Sequence, residues 1–386
     1  MAYAYYEFFA GGGMARLGLG EGWRCLFAND NSPKKVRSYL ANFGEDDTLS
    51  SDDVRDLRPD MIPGCADLVW ASFPCQDLSL AGNGDGLNGR RSGTFWPFWR
   101  LMEELAIDGR APTVVVLENV VGALSSHAGK DFEAIISAVA SGGYWYGALV
   151  IDAVQFVPQS RPRLFVVASR VEPPSHLAGG ANLDPEETRG GTLVRRAFDR
   201  LPEQHRQRWV WWKLPVPSHR RSRVADILEE TPSGVDWHSP EYTGRLLEMM
   251  SPVNLRKVQS AKRDGGVKIG CVYRRTRHED GQRVQRAEVR FDGVSGCLRT
   301  PVGGSSRQTI LFVEGENIRS RLLSPREAAR LMGVPETYIL PESYNEAYHL
   351  MGDGLVVPVV SWLESKLVAP LLASAHVRAE SVGAHG

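Results

Sequence analysis

Six apolar, β-rich runs alternate with amphipathic stretches over the first 170 residues, and this alternation restricts the possible folds more than any other feature. The runs are YAYYEFF, RCLFA, DLVWASF, TVVVLEN, GALVIDAV and RLFVVAS. Between several of them lie the helix-like KKVRSYLANF, FWPFWRLMEELAI and DFEAIISAVAS. Strands alternating with helices specify a mostly parallel sheet with helices on both faces. The last two runs are joined only by QFVPQSRP, too short for a helical crossover, so that pair is expected to be antiparallel.

From about residue 172 the texture changes to prolines, glycines and arginines with little regular periodicity. EPPSHLAGGANLDPEETRGG reads as a linker or loop. A helix returns at SPREAARLMGVP, with Ser324 as N-cap, Pro325 in the first turn and Glu327 three residues after the cap. The segment YHLMGDGLVVPVVSWLESKLVAPLLA reads as a glycine turn and an apolar helix that packs back on the first domain. The expected organisation is an α/β, Rossmann-like domain over 1–174, completed by the C-terminal helix 345–386. A smaller, irregular, β-containing domain is expected over 175–344.

The 386 residues are enough for two domains, and 42% hydrophobic with 24% charged residues fits a soluble globular protein. The N-terminus MAYAYYEFFAGGG has no basic lead-in and no long apolar core, so neither a signal peptide nor a membrane association is expected. Five scattered cysteines without CxxC spacing argue against a disulfide framework or a metal site, and fit a reducing, cytoplasmic setting. A net charge of −1 means that any nucleic-acid surface must be built from local clusters. Two arginine-rich stretches, 194–223 and 256–290, supply them. The aromatics among them (Trp209, Trp211, Trp212 and Tyr273) are expected to stack on bases while the arginines grip phosphates.

In an open parallel sheet ligands bind beyond the carboxyl ends of the strands, and those ends carry the chemistry here. FFAGGGMARLGLG allows a tight turn and close approach of a ligand to the backbone, though without dinucleotide spacing. Asp30 of FANDN suits ribose hydroxyls or, equally, a helix cap. In SDDVRDL, Asp53 can accept from an exocyclic amine while Val54 covers a flat ring. Together these suggest a nucleoside cofactor. Cys75, in the polar loop SFPCQDLSLAG, is presented rather than packed. Glu118 follows five apolar residues, where burial favours a proton donor, with a helix cap as the other reading. The alternation of Arg161 and Arg163 in VPQSRPRLFV puts both guanidiniums on one face of a strand entrance.

The ordered set FAGGG, FPCQ, LENV, QSRPR, SPREAARLMG and GDG resembles the DNA (cytosine-5) methyltransferases, from residue 7 to about 362 apart from a variable stretch from about 175 to 290. The resemblance implies that Cys75 attacks C6 of a flipped-out cytosine. This makes C5 a nucleophile for the methyl group of S-adenosyl-L-methionine, and S-adenosyl-L-homocysteine is the other product. It implies that Glu118 binds the N3 and N4 edge, that Arg163 contacts O2 and favours the thiolate, and that Arg161 holds DNA phosphate, with Asn119 ordering the loop. Cofactor contacts are implied at Phe9, Ala10, Gly11 and Gly13, at Asp30 and Asn31, and at Asp53 and Val54. Pro74, Phe95, Asp353 and Gly354 complete them. DNA contacts are implied at Ser79, Gln159, Arg299 and Thr300, with Ser305 and Arg307 of the GGSSRQ loop on phosphates.

Two departures from the family pattern stand out. Gly12 replaces an aliphatic residue and Met14 a glycine, and Asp353 stands where asparagine is usual. A carboxylate near the sulfonium is expected to favour ordinary S-adenosyl-L-methionine over a carboxylated analogue. The stretch from about 175 to 318 falls where the family keeps its target-recognition region. The partners expected are duplex DNA and, where one exists, a cognate restriction endonuclease, with the enzyme acting as a monomer in a bacterial or phage-infected cell. The competing readings are a transfer-RNA cytosine-5 methyltransferase of the same family, an idle DNA-binding relative, and a nucleotide-cofactor oxidoreductase that leaves FPCQ, ENV and QSRPR unexplained.

Overall fold

All six expected strands are present and pair in one seven-stranded sheet: β1 (Tyr3–Phe8), β2 (Trp23–Asn29), β3 (Leu49–Ser50), β4 (Leu68–Ala71), β5 (Val114–Val120), β6 (Trp145–Asp152) and β7 (Pro162–Ser169). The added strand, β3, is only two residues long. The computed structural model describes residues 2–45, 47–74, 93–179, 191–218, 222–279, 281–300 and 307–383. The strand order is β3-β2-β1-β4-β5-β7-β6. Pairs from β3 to β5 are parallel, and β7 runs against both β5 and β6, as the short connection between the last two runs requires. Every residue of β4 is buried, as is Val114–Leu117 of β5, which is the signature of parallel strands covered on both faces. Chain order reverses between β1 and β4, so the crevice at this switch point lies beyond Phe8 and Ala71.

The chain forms two compact units: Met1–Asp152 with Pro162–Pro217 and Val359–Gly386, and Ala153–Arg161 with Ser218–Pro358. Compactness therefore divides it elsewhere than at 174/175 and 344/345. In the first unit, α1 (Met14–Leu19), α2 (Pro33–Phe43), α3 (Phe95–Ile107), α4 (Lys130–Ser141) and α5 (Gly191–Phe198) accompany the sheet. Helix α3 buries Phe95, Phe98, Trp99, Leu101, Met102 and Leu105, a helical-period stripe against the core.

The tryptophans of the first arginine-rich stretch belong to this core, contrary to the base-stacking expectation. Strand β8 (Ala178–Gly179) pairs with β9 (Trp211–Trp212), and Trp211 and Trp212 are only 4% and 1% exposed. Val210 donates its amide to the Tyr146 carbonyl at 2.7 Å. A Cβ at Gly147 would stand 2.0 Å from the Val210 carbonyl oxygen, so β6 admits only glycine there. Trp209 packs on the same core, and Arg195 lies 4.1 Å above the Trp211 ring.

In the second unit α6 (Val224–Ile227), α7 (Pro240–Glu248), α8 (Pro252–Arg263), α9 (Pro325–Leu331) and α10 (Tyr344–Asp353) surround an antiparallel sheet. Its strands β10 (Lys268–Glu279), β11 (Gln282–Arg290), β12 (Thr309–Glu314) and β13 (Asn317–Leu322) lie in the order β11-β10-β12-β13. Leu246 of α7 and Val258 and Ala261 of α8 pack on Val272, Ala287, Val289, Leu311 and Val313. The region read as irregular is thus regular.

The chain continues through α11 (Val357–Leu363) and a π-helical turn over Glu364–Val368 into α12 (Ala369–Gly383). Back in the first unit, Ser361 Oγ donates to the Gly18 carbonyl at 2.8 Å, and Trp23 Nε1 donates to Glu364 at 3.1 Å. Among the described residues one helical stretch, Tyr344–Arg378, is long and apolar enough to cross a membrane by length and composition. Half of its apolar window is buried inside the protein, as in a core helix.

The expected helix start at Ser324 is present with both bonds of the capping box. Its Glu327 carboxylate also receives both terminal nitrogens of Arg321 at 2.7 Å, and the amides of Ser324 and Glu229 at 2.8 Å. Both side chains of this pair are buried, at 1% and 0% exposure. Removing one partner strands the other charge without solvent, which typically costs about 3–5 kcal/mol. Arg321→Met is therefore expected to lower the thermal midpoint of the full chain by several degrees, whereas Arg330→Met, at the partly exposed pair with Glu336, is expected to change it little. Equal midpoints for wild type and Arg321→Met would refute this.

Candidate active site

Beyond β1 the backbone turns through Phe9 (φ 59°), Gly11 (φ 58°) and Gly13 (φ 76°), the last being the N-cap of α1. Left-handed backbone is strained for a residue with a Cβ, so Phe9 is held there by its surroundings. Its ring packs edge-on to Phe73 and Phe98 at 6.5 and 6.3 Å. A Cβ at Gly13 would collide with Phe43, whereas one at Gly11 would meet nothing within 4 Å. The turn therefore leaves open space beside Gly11. Met14, one of the two departures from the family pattern in this turn, is buried.

Asp30 fastens this turn to the end of β2. One carboxylate oxygen accepts the Gly11 amide and the other the Ser32 amide, both at 2.9 Å, and Ser32 is the N-cap of α2. Asp30 thus brackets two backbone amides without being the N-cap of α2 itself, and its buried carboxylate still has lone pairs to offer. Asn29, which the sequence reading passed over, is buried and donates to the carbonyls of Ser50 and Asp52 at 3.2 and 2.9 Å. This places Asp53 beside Asn31, whose Nδ2 donates to it at 3.3 Å. The side chain of Arg55 bonds Asp53 at 2.9 and 2.6 Å, and its amide donates as well. These bonds hold the Asp53 carboxyl down at about 2, against a smaller opposing effect of burial. Val54 is a member of the core, 3% exposed, rather than an open cover for a ring.

Beyond β4 come Ser72, Phe73 and Pro74. Phe73 is buried with its ring 5.0 Å from that of Phe95, which is itself fully buried at the start of α3. The buried Asn119 side chain donates to the Phe73 carbonyl at 3.1 Å, tying the end of β5 to the backbone two residues ahead of Cys75. Cys75 itself, Ser79 and Ser305 lie outside the described residues.

Glu118 and Arg163 meet at the β5–β7 edge. Glu118 pairs with Phe165 and Val120 with Arg163, so the two side chains are diagonal neighbours on one face. Arg163 Nε stands 3.1 Å from Glu118 Oε1, and the side chains are only 19% and 12% exposed. Glu118 does not cap the following 3-10 turn, whose N-cap is Val120 without a side-chain bond.

Arg161 takes a different course, and the expectation that both guanidiniums share a face is overturned. It is buried in the second unit, donating to the carbonyls of Leu298, Gly352 and Gly354 at 2.9, 2.9 and 2.8 Å. A guanidinium spent on three buried carbonyls is a strut, not a phosphate clamp. Gln159 is likewise fully buried: it donates to Leu331 and accepts from the Leu298 amide, each at 2.9 Å, and offers DNA no free edge. The 297–300 segment and the GDG residues do come together, but GDG is not the expected glycine turn: Gly352 and Asp353 end helix α10 and Gly354 is its C-cap. The Thr300 hydroxyl donates to the exposed carboxylate of Asp353, and a Cβ at Gly352 would stand 3.0 Å from the Thr300 amide. Gly354 contributes its carbonyl to Arg161. Arg307 lies 5.2 Å above the Tyr344 ring and donates to Asn345, while Arg299 is exposed.

Within the first unit, a mostly parallel sheet with a switch point at β1/β4, a glycine turn beyond β1 and an ion pair between β5 and β7 make a doubly wound α/β scaffold with its candidate site beyond the strand ends. The C-5 cytosine-specific DNA methylase family model matches residues 3–369, and the chain belongs to that family: it is a DNA (cytosine-5-)-methyltransferase. Type II methyltransferase M.DsaV of Dactylococcopsis salina is 26% identical over 367 residues, covering 95% of this chain and 86% of the relative. Type II methyltransferase M.HhaI of Haemophilus parahaemolyticus is 24% identical over 365 residues, covering 93% and 92%. In fold the chain is similar to the S. pombe Dnmt2 methyltransferase (TM-score 0.56, 18% identity, 96% and 99% covered). It is similarly close to a putative DNA modification methyltransferase of an E. coli prophage (TM-score 0.54, 16% identity, 96% and 99% covered).

One further carboxyl in the first unit has a measurable consequence. Glu7 of β1 is buried, and one of its carboxyl oxygens has no partner among the described residues. Burial pushes its pKa up to about 8, against the pull of Arg16 and of the amides of Ala15 and Arg16. The folded state therefore holds a proton that the unfolded chain releases near pH 4.5. The stability this gives is complete below that pH and is lost as pH rises through about 8. Urea midpoints are expected to fall between pH 5 and 8.5 more steeply for wild type than for Glu7→Gln. Parallel curves would show that Glu7 is ionised in the native protein.

Proposed function

We propose that this enzyme methylates C5 of a cytosine flipped out of duplex DNA, through a covalent bond between Cys75 and C6. The observation that carries the reading is the Glu118–Arg163 pair. It stands at the β5–β7 edge, while Asn119, next in the chain to Glu118, anchors the backbone that leads into Cys75. Cytosine C5 is too weak a nucleophile to react unaided, and thiolate addition at C6 converts it into one. In this reading Glu118 faces the N3 and N4 edge of the base and stabilises the ring as C6 is attacked. Arg163 keeps Glu118 in position and supplies the positive charge that favours a thiolate at Cys75. Once C5 carries the methyl group, loss of its proton to water and expulsion of the thiolate release the product. Extruding the base costs a few kcal/mol, offset by contacts in the pocket.

The residues around the switch point fit S-adenosyl-L-methionine. The space beside Gly11 admits a ligand against the backbone, Asp30 retains acceptor capacity for hydroxyls, and Phe73 and Phe95 give an apolar wall. When bound, that cofactor supplies an electrophilic methyl group. In this reading Asp53 and Asn31 hold an adenine amine. The Type II relatives support DNA as substrate, and a restriction endonuclease partner, a monomeric state and a bacterial cytoplasmic setting belong to the same reading.

The test is base-resolution 5-methylcytosine sequencing of DNA from a host without cytosine methylation, expressing wild type, Cys75→Ser or Glu118→Gln. Wild type is expected to methylate one short motif, Cys75→Ser none, and Glu118→Gln to be slower by about 10²–10⁴-fold. Duplex carrying 5-fluorocytosine cannot release its C5 substituent as a proton, so it is expected to remain attached to wild type and not to Cys75→Ser. Methylation by Cys75→Ser would end the covalent reading. A wild type that leaves DNA untouched and methylates transfer RNA would move the substrate to RNA.

A further inference from the structure

The hairpin of β10 and β11 outruns the helices that cover it. At its base, the pairs Val272–Val289 and Arg274–Ala287 lie on the face packed against α7 and α8, where Val272, Ala287 and Val289 are buried. Toward the tip, residues 275–278 and 281–283 are exposed. From Arg275 to Glu279 the ribbon projects roughly 13 Å at the usual rise per residue. Cross-strand partners share a face, so the register assigns every tip side chain to one side or the other.

The two sides differ in charge. One carries Arg275, Arg277 and Arg286, and these are satisfied within the ribbon: Arg275 and Arg277 pair with Glu288, and Arg286 with Glu279. The other carries the pairs Thr276–Gln285 and His278–Arg283, with no acid in either pair. None of these four side chains has a partner among the described residues. This face also continues into Arg274, which, after burial, is the second cause holding the His238 imidazole below its ordinary pKa. The His238 ring lies 4.1 Å from that of Tyr242 at a 42° tilt, and Tyr242 is itself partly exposed.

A two-stranded ribbon fits a B-DNA major groove, about 12 Å wide and 8.5 Å deep. The amide and guanidinium are the side chains that read adenine and guanine edges there in a bidentate manner. We propose that the tip of the β10–β11 ribbon enters the major groove of the substrate duplex with its acid-free face toward the bases, where Arg283 and Gln285 determine specificity and Thr276 and His278 support them. The absence of a competing carboxylate selects this face over the other, where Glu279 and Glu288 already engage the three arginines. The proposal rests on duplex DNA being the substrate.

The test compares wild type with Gln285→Ala, Arg283→Ala and, on the opposite face, Arg277→Ala, by 5-methylcytosine sequencing in the methylation-free host. Gln285→Ala and Arg283→Ala are expected to accept additional bases at one motif position each, with discrimination there reduced roughly 10- to 100-fold. Arg277→Ala is expected to keep the wild-type motif. An unchanged motif in both Gln285→Ala and Arg283→Ala, at full rate or uniformly slowed, overturns the proposal, since uniform slowing marks a phosphate contact. A variant too slow to sequence is purified, and its binding to the wild-type site and to single-mismatch sites is measured by competition. Lost discrimination supports the proposal and retained discrimination overturns it. A wild type that methylates no duplex refutes the DNA reading, and this proposal with it. A wild type with a clear motif but unchanged variants refutes this proposal alone.

Discussion

Glu118 and Arg163 meet only because β7 runs against its neighbours. The nine residues between β6 and β7 cannot hold a helical crossover, so β7 returns between β5 and β6 and enters the sheet at the end where β5 leaves it. In an all-parallel sheet the first residue of that strand would lie at the far end from Glu118. The antiparallel insertion brings a cation from a strand start to a carboxylate near a strand end, on one face and 3.1 Å apart. A charge pair this shielded depends on each partner for the other's solvation. The position of β7, and so the entry of the chain at Pro162, is fixed by chemistry as much as by packing.

The same economy governs the glycine turn. Asp30 spends two lone pairs on backbone amides, one in the turn after β1 and one at the cap of α2, and Asn29 beside it holds the 50–53 segment. Three strand ends are thus locked together by two adjacent polar side chains before any ligand is present. Preorganisation of this kind lowers the ordering cost of binding. It also explains why a left-handed Phe9 is tolerated, its ring being held between Phe73 and Phe98.

The strands of the first unit were legible because apolar runs of the right length alternated with helical periodicity, and so was the antiparallel pair, from loop length alone. The second unit was read as irregular, although the signals were present. Ser239–Pro240 and Ser251–Pro252 start α7 and α8 just as Ser324–Pro325 starts α9, and only the last was recognised. Gly281 (φ 76°) stands just ahead of β11 in the longest hairpin, but the arginines on both sides of it hide the alternation that marks a strand. Motif order singled out Glu118, Arg163 and Asp30, and the structure brings the first two together. What no motif conveys is the direction in which a side chain leaves the backbone. Arg161 and Arg163 are two residues apart, yet one turns into the second unit and the other to Glu118.

Arginine is where composition misleads most in this chain, because a guanidinium serves several unrelated ends. Arg161 and Arg321 are buried struts for carbonyls and a carboxylate. Arg195 covers a tryptophan face, and Arg275, Arg277 and Arg286 are paired with acids on their own ribbon. Subtracting these six leaves fewer cations for a polyanionic partner than the 45 lysines and arginines of the sequence suggest. An arginine paired within the protein gives up little counterion-release energy to DNA, because its charge is already balanced. The residues that remain open at the ribbon tip therefore weigh more in recognition than their number implies. Binding that depends on few phosphate contacts and several base-edge contacts loses non-specific affinity faster than specific affinity as salt rises, and that asymmetry suits an enzyme that must find a short site among many others.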